Sequence, residues 1–193
     1  MYSIIRCILV AIIGLMFFVI VKKKSNLNKK TVGIIIATCV LLLTTISFVP
    51  FENLFLTFDS AEKACFYYQP QTDGNVLSVD GQYSTFVMQK DDSKNSILLV
   101  PKTESGWKVP SGMHTKRVIY RIVDSYIISV YQYKNTNDFF VRVSSVDEKI
   151  HTLTDSCNSL FVSTQSSVYC AHIPHFDTDY SLIINDKQIV IHE

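Results

Sequence analysis

The chain has 193 residues and a formal net charge of +1, and its charges are unevenly distributed. The 49 residues up to Val49 hold six of the 18 Lys and Arg and none of the 17 Asp and Glu, so the rest has 12 basic and 17 acidic residues, a net charge of -5. Such an acidic remainder would repel nucleic acid, and we expect no nucleic-acid partner. No Gly-rich phosphate loop, G-x-S-x-G or C-x-x-C motif is present, which excludes the enzyme and cofactor classes that those motifs define.

The first predicted elements are two apolar runs near the N-terminus. The run at 3–21 has Arg6 as its only charge, and the run at 32–49 has no charge and ends before Pro50. Each run is close to the ~20 residues that cross a ~30 Å hydrocarbon core as a helix. We therefore predict two transmembrane helices, joined by a loop at 22–31.

The loop between the two runs contains five lysines, at positions 22, 23, 24, 29 and 30. Short lysine-rich loops stay on the cytoplasmic side, because the membrane potential and the anionic inner leaflet oppose their translocation. This predicts a multi-pass protein of the cell membrane, with the lipid bilayer as a partner. Residues 1–50 would form the anchor, and residues 51–193 would form an extracytoplasmic domain. The alternatives are cleavage of the second run as a signal peptide and lipid attachment at Cys39.

Residues 51–193 change from helical to strand periodicity soon after their start. Ser60 has the residue type of an N-cap, and it precedes a short helix with Ala61 and Cys65 on its apolar face. About ten β-branched and aromatic runs follow, separated by turn residues, and the last two turn at 185–186. The fold class predicted is a two-helix transmembrane hairpin followed by a mainly β domain with one short leading helix. The β part would be an antiparallel meander, arranged as a sandwich, an open barrel or a small propeller-like stack of sheets.

The segment HIPHFDTD concentrates ligand-type side chains, which are His172, His175, Asp177 and Asp179. Imidazole nitrogens and carboxylates can bind Zn²⁺ or another divalent ion if the segment folds back on itself. The competing interpretation is a polar connection between two hairpins that bends at Pro174. In an extended chain His172 faces away from the other three, which favours the polar connection. We therefore expect no bound metal and no other cofactor.

Three cysteines lie in the predicted external domain, where thiols can be oxidised. Cys157 and Cys170 bracket one predicted hairpin, so they form either a disulfide or two buried free thiols. Cys65 lies on the apolar face of its helix with no histidine close in sequence, so core packing is its predicted role. Trp107, which follows a turn glycine, is predicted to pack over a sheet instead of stacking on a ligand.

Residues 58–109 resemble a group of small uncharacterised membrane-anchored proteins of Gram-positive bacteria. The resemblance rests on Phe58, Asp59, Ser60, Glu62, Ala64, Gly106 and Trp107, which give an F-[DS]-S-x-E-x-A helix start and a later Gly-Trp pair. In that group an apolar span leads into the short helix and then into β-hairpins. The resemblance implies a membrane-anchored β domain and carries over no catalytic residue.

Three functional hypotheses follow from these patterns. The first is a non-enzymatic protein whose acidic β domain binds or senses a ligand. The second is a metal-dependent envelope enzyme built on the segment from His172 to Asp179. The third is an accessory subunit of a larger membrane complex, with a membrane or envelope protein as its partner. We favour the first hypothesis, because no catalytic constellation is identified.

Overall fold

The structure is a computed structural model. It describes residues 2–23, 30, 32–34, 36–38, 40–41, 50–70, 76–90, 95–163, 167–176 and 179–191. Of the predicted features, most of the lysine loop, the end of the second apolar run at 42–49 and Asp177 lie outside these residues.

The predicted transmembrane hairpin is not found in the described part of the chain. An N-terminal helix, α1, spans Tyr2–Lys23. A helical span needs about 20 consecutive apolar residues, and no described helix meets that requirement of length and apolarity. The assignments of a two-helix hairpin and of a multi-pass cell-membrane protein are therefore wrong.

The short helix predicted after Ser60 is confirmed. This helix, α2, spans Ala61–Tyr68, and the Ser60 side chain accepts a hydrogen bond from the backbone N–H of Lys63 as an N-cap. Two 3-10 helices, Phe51–Leu54 and Gly112–His114, lie before and after it in the chain.

The rest of the described chain is mainly β structure, as its alternating pattern predicts. The strands are Val76–Asp80 (β1), Ser84–Lys90 (β2), Asn95–Thr103 (β3), Gly106–Trp107 (β4), Thr115–Val123 (β5), Tyr126–Tyr133 (β6), Phe139–Ser145 (β7), Leu153–Asp155 (β8), Val162–Ser163 (β9), Val168–Ile173 (β10), Ser181–Ile184 (β11) and Lys187–Val190 (β12). They form a first sheet of order β1-β2-β3-β4, a central sheet of order β5-β6-β7-β10-β9 and a third sheet of order β12-β11-β8, and the paired strands are antiparallel.

Three apolar clusters show that the sheets are stacked in layers. Phe86 and Leu99 of the first sheet pack with Tyr131 and Phe140 of the central sheet. The opposite face of the central sheet packs on the third sheet, in a cluster that includes Ile128, Val141, Leu182 and Ile184. Helix α2 covers the outer face of the first sheet through Ala61, Ala64 and Cys65. The described strands therefore form three stacked sheets, and the central sheet is apolar on both of its faces.

The turn residues agree with the local sequence. Asn185 and Asp186 have φ angles of 48° and 66° and join β11 to β12, which confirms the predicted final turn.

Gly106 has a φ of 127°, and a Cβ at this position would clash with the backbone oxygen of Phe58. Phe58 and Trp107 exchange two backbone hydrogen bonds there, of 2.8 and 2.9 Å. Trp107 packs against the cluster under α2, as predicted.

Candidate functional site

The predicted metal ligands are not gathered into one group. His172 lies in β10 opposite Phe140, with the two ring centroids 5.3 Å apart. His175 and Asp179 are exposed in the connection from β10 to β11, and Asp177 lies outside the described residues. Within the described residues, no group of three or more His, Cys, Asp or Glu side chains is placed to hold a metal ion.

His172 instead contacts a buried carboxylate, that of Asp138. Asp138 directly precedes β7 and is fully buried. Its Oδ1 accepts a hydrogen bond from the backbone N–H of Gln82 at 2.9 Å and lies 2.6 Å from Nε2 of His172. Its Oδ2 accepts hydrogen bonds from the backbone N–H of Tyr83 at 3.1 Å and from Oγ of Ser84 at 2.7 Å. The Asp138 side chain therefore connects the β1-β2 turn of the first sheet to the central sheet by hydrogen bonds.

The environment of Asp138 keeps its carboxylate ionised. Burial alone would raise the pKa of Asp138, but the hydrogen bonds from His172, Ser84 and two backbone N–H groups outweigh burial and hold that pKa below its ordinary value. An ionised carboxylate only accepts hydrogen bonds, so Nε2 of His172 is the donor. Each oxygen already accepts two hydrogen bonds, which fills its lone pairs. The pair can hold the fold together, and the filled Asp138 carboxylate offers no free lone pair to act as a general base.

Two of the three described cysteines, Cys65 and Cys170, are buried and have thiols of low reactivity. Cys157 is exposed after β8 and Cys170 is buried in β10, and no disulfide joins them. Burial raises the pKa of Cys65 to about 12, and the nearby Glu62 adds to the effect. Burial also raises the pKa of Cys170, against the effect of the Arg142 charge. Thiols with raised pKa values are poor nucleophiles at neutral pH.

Ser60 and Lys63 have the S-x-x-K spacing of serine acyl-transfer enzymes, a signal that the sequence predictions above missed. In the structure Ser60 Oγ accepts a hydrogen bond of 3.2 Å from the backbone N–H of Lys63. The Lys63 ammonium lies 2.5 Å from the exposed carboxylate of Asp59. The two side chains therefore serve as a helix cap and a surface ion pair, and the spacing does not form a nucleophile and its base.

An open groove lies between the two 3-10 helices, with a volume of about 520 Å³. It is lined by Pro50, Phe51, Asn53, Leu54, Ser111, Met113 and His114. Leu54 is 79% exposed and Met113 is 71% exposed, so the walls of the groove present apolar side chains to solvent. Asn53 fixes the first 3-10 helix, because its side-chain amide donates to the backbone oxygen of Val109 at 3.0 Å and accepts from the Val109 N–H at 2.6 Å. These two hydrogen bonds anchor the first 3-10 helix to Val109.

His114 supplies a polar group at the groove. Its Nδ1 is buried and has no described hydrogen-bond partner. Burial, and after it the charge of Lys134, lower the pKa of His114 below the ordinary 6.5, so the imidazole is neutral at pH 7. The ring meets Tyr133 edge-on, with the centroids 5.9 Å apart. A neutral imidazole nitrogen can donate or accept a hydrogen bond, depending on its tautomer.

Comparison with known proteins finds no matching family model, no similar curated protein and no similar solved structure. The resemblance of residues 58–109 to membrane-anchored proteins of Gram-positive bacteria stays a prediction.

Proposed function

We propose that the β domain is a non-catalytic binding module whose groove between the two 3-10 helices holds a small ligand. The ligand that suits this groove has an apolar body and one hydrogen-bonding group. This proposal keeps the binding function favoured by the sequence and attaches it to a specific surface.

One observation carries the proposal: the exposed side chains of Leu54 and Met113 line the groove together with His114, whose buried Nδ1 has no described hydrogen-bond partner. The groove volume of about 520 Å³ falls within the ~300 to 1,000 Å³ of ordinary small-ligand sites. Covering Leu54 and Met113 with apolar ligand atoms would be favourable by about 25 cal/mol per Å² removed from water. A hydroxyl or amide on the ligand would form a hydrogen bond with Nδ1 of His114. Without that bond the buried nitrogen destabilises the fold.

The catalytic alternative has less support. The Asp138 carboxylate and Nε2 of His172 are both committed to contacts within the fold. Burial raises the pKa of the Cys65 and Cys170 thiols, which makes both poor nucleophiles. A metal-dependent enzyme needs about three converging protein ligands, and the described residues offer no such set.

The proposal is tested with cyclohexanol, a neutral probe that combines an apolar ring with one hydroxyl. Saturation-transfer NMR on the full chain measures its binding to the wild type and to Leu54→Asp, which places a charge at the groove wall. The matched control is Leu160→Asp, because Leu160 is 84% exposed and lies outside the groove. We expect Leu54→Asp to weaken binding by at least fivefold and Leu160→Asp to leave it unchanged. Equal binding by the three proteins would contradict the proposal.

A further inference from the structure

A second polar site lies on the central sheet, where one row of residues crosses four strands. Tyr120 of β5 is opposite Ser129 of β6, Ser129 is opposite Arg142 of β7, and Arg142 is opposite Cys170 of β10. Residues opposite one another in a sheet point to the same face, with Cβ atoms about 5 Å apart. The four side chains therefore form a continuous row on the face of the central sheet that also packs on the first sheet.

Arg142 is a partly buried cation with no anionic partner among the described residues. Its Nε is buried and has no hydrogen-bond partner, and the described ion pairs do not include Arg142. On one side it has the fully buried thiol of Cys170, which holds no negative charge at neutral pH because burial raises its pKa. Buried arginines are normally paired, since an unpaired charge in a poorly hydrated place is costly.

Ser129 adds a second unsatisfied donor next to this cation. It is 1% exposed, and its Oγ has no hydrogen-bond partner. A hydroxyl and a guanidinium that face each other across two strands can both donate to one oxyanion. Two neighbouring buried donors without partners are unusual, because most buried polar side-chain atoms are hydrogen-bonded.

The rim of the row is open to solvent and suited to a ligand. Tyr120 is 50% exposed, and Ile122, which shares its face, is 62% exposed. The Arg117 guanidinium lies over the Tyr120 ring, 4.8 Å from the centroid, and brings a second positive charge to the approach. The domain as a whole is acidic, so this positive site is a local feature and not part of a general basic surface.

We propose that Arg142 and Ser129 form a binding site for a small oxyanion, the phosphate or carboxylate group of a ligand. The guanidinium fork of Arg142 matches the oxygen spacing of either group, and the Ser129 hydroxyl donates to the same oxygens. The rest of the ligand lies on Tyr120 and Ile122 at the rim. The site is separate from the groove between the 3-10 helices, so either proposal can fail without the other.

The test is the melting temperature of the full chain in increasing inorganic phosphate, and separately in acetate, at constant ionic strength set with chloride. A ligand that binds only the folded state raises the melting temperature by several degrees at about 100 times its dissociation constant. We expect this rise in the wild type and in the control Arg121→Gln, because Arg121 is opposite Ile128 on the other face. Arg142→Gln should lose most of the rise, and Ser129→Ala should lose part of it.

The two anions distinguish the two classes of ligand. A larger rise in melting temperature with phosphate indicates a phosphate ester, and a larger rise with acetate indicates a carboxylate. In case Arg142→Gln does not fold, Arg142→Lys keeps the charge without the fork and should weaken binding at least fivefold. The Nε–H NMR signal of Arg142 in the wild type should also move saturably with the same anion. An equal rise in all variants, or an Nε–H signal that does not move, would overturn the proposal.

Discussion

Asp138 and His172 are 34 positions apart in the chain, yet Oδ1 of Asp138 lies 2.6 Å from Nε2 of His172. The contact is possible because β7 and β10 are neighbours in the central sheet, with His172 opposite Phe140. The same carboxylate also accepts hydrogen bonds from the first sheet. The donors are the backbone N–H groups of Gln82 and Tyr83 and the hydroxyl of Ser84. A catalytic residue type, histidine, is thus used to stabilise the junction of two sheets.

Replacement of Asp138 should destabilise the fold strongly. Asp138→Asn has one acceptor oxygen in place of two and introduces donors toward Ser84 and the backbone N–H groups, so hydrogen bonds to a charged group are lost. We expect the free energy of unfolding to fall by about 2 to 4 kcal/mol, measured by urea denaturation of the full chain. The control Asp59→Asn removes an exposed carboxylate and should leave the midpoint nearly unchanged. A small effect of Asp138→Asn would show that the contact does not join the sheets.

The close approach of Asp138 also requires a glycine at position 81. A Cβ at position 81 would lie 2.7 Å from Cζ of Phe140 and closer still to Oδ1 of Asp138. Gly81→Ala should therefore cost about 1 to 3 kcal/mol of stability through overpacking, measured by the same denaturation. Gly112→Ala is the matched control, because a Cβ there meets nothing within 4 Å. Equal effects of the two substitutions would contradict the geometry of the β1-β2 turn.

Stability should depend on pH through His114. The pKa of His114 is lowered in the folded state, first by burial and then by Lys134. Below the ordinary pKa of 6.5 the unfolded chain takes up a proton that the folded chain resists, so the free energy of unfolding falls as the pH falls from about 7 to 5. His114→Gln should remove this part of the slope, and Lys134→Gln should reduce it without removing it. Urea midpoints at several pH values measure the slope, and an unchanged slope in His114→Gln would refute the assignment.

A buried tyrosine stabilises the third sheet. Tyr180 is 1% exposed and donates a hydrogen bond of 2.9 Å to Oδ2 of Asp155, which is also buried. Tyr180→Phe leaves that oxygen without its donor and should lower the free energy of unfolding by about 1 to 3 kcal/mol. The exposed Tyr83 gives a control, and Tyr83→Phe should have little effect on the urea midpoint. An unchanged urea midpoint in Tyr180→Phe would mean that water replaces the phenol hydroxyl at Asp155.

The features that the sequence predicted correctly depend on neighbouring residues. The N-cap at Ser60 and the final turn at 185–186 each involve a few consecutive positions, and their chemistry is local. The alternating runs likewise predicted a mainly β domain. The grouping of the strands into three sheets was not predicted, because periodicity indicates which residues are apolar but not which sheet covers them.

The features that the sequence missed depend on long-range pairing. His172 and His175 are close in the chain, and a shared metal ion was the less favoured of the two interpretations of this proximity. Strand pairing places His172 at the junction of two sheets, whereas His175 is in an exposed connection. Asp138 carries no local signal, since its partners in the first sheet are 54 to 56 positions away. The hairpin was predicted from apolar length alone, and the described helices do not meet the requirement for a span.

The most direct test of the binding function is NMR of the methionine methyl groups in the full chain during titration with cyclohexanol. Met113 lines the groove and is 71% exposed, whereas Met88 is fully buried between the first two sheets. We expect the Met113 methyl signal to shift saturably while the Met88 signal stays in place, and Leu54→Asp should abolish the Met113 shift. A Met113 signal that does not move, or that moves equally in Leu54→Asp, would contradict a ligand site in the groove.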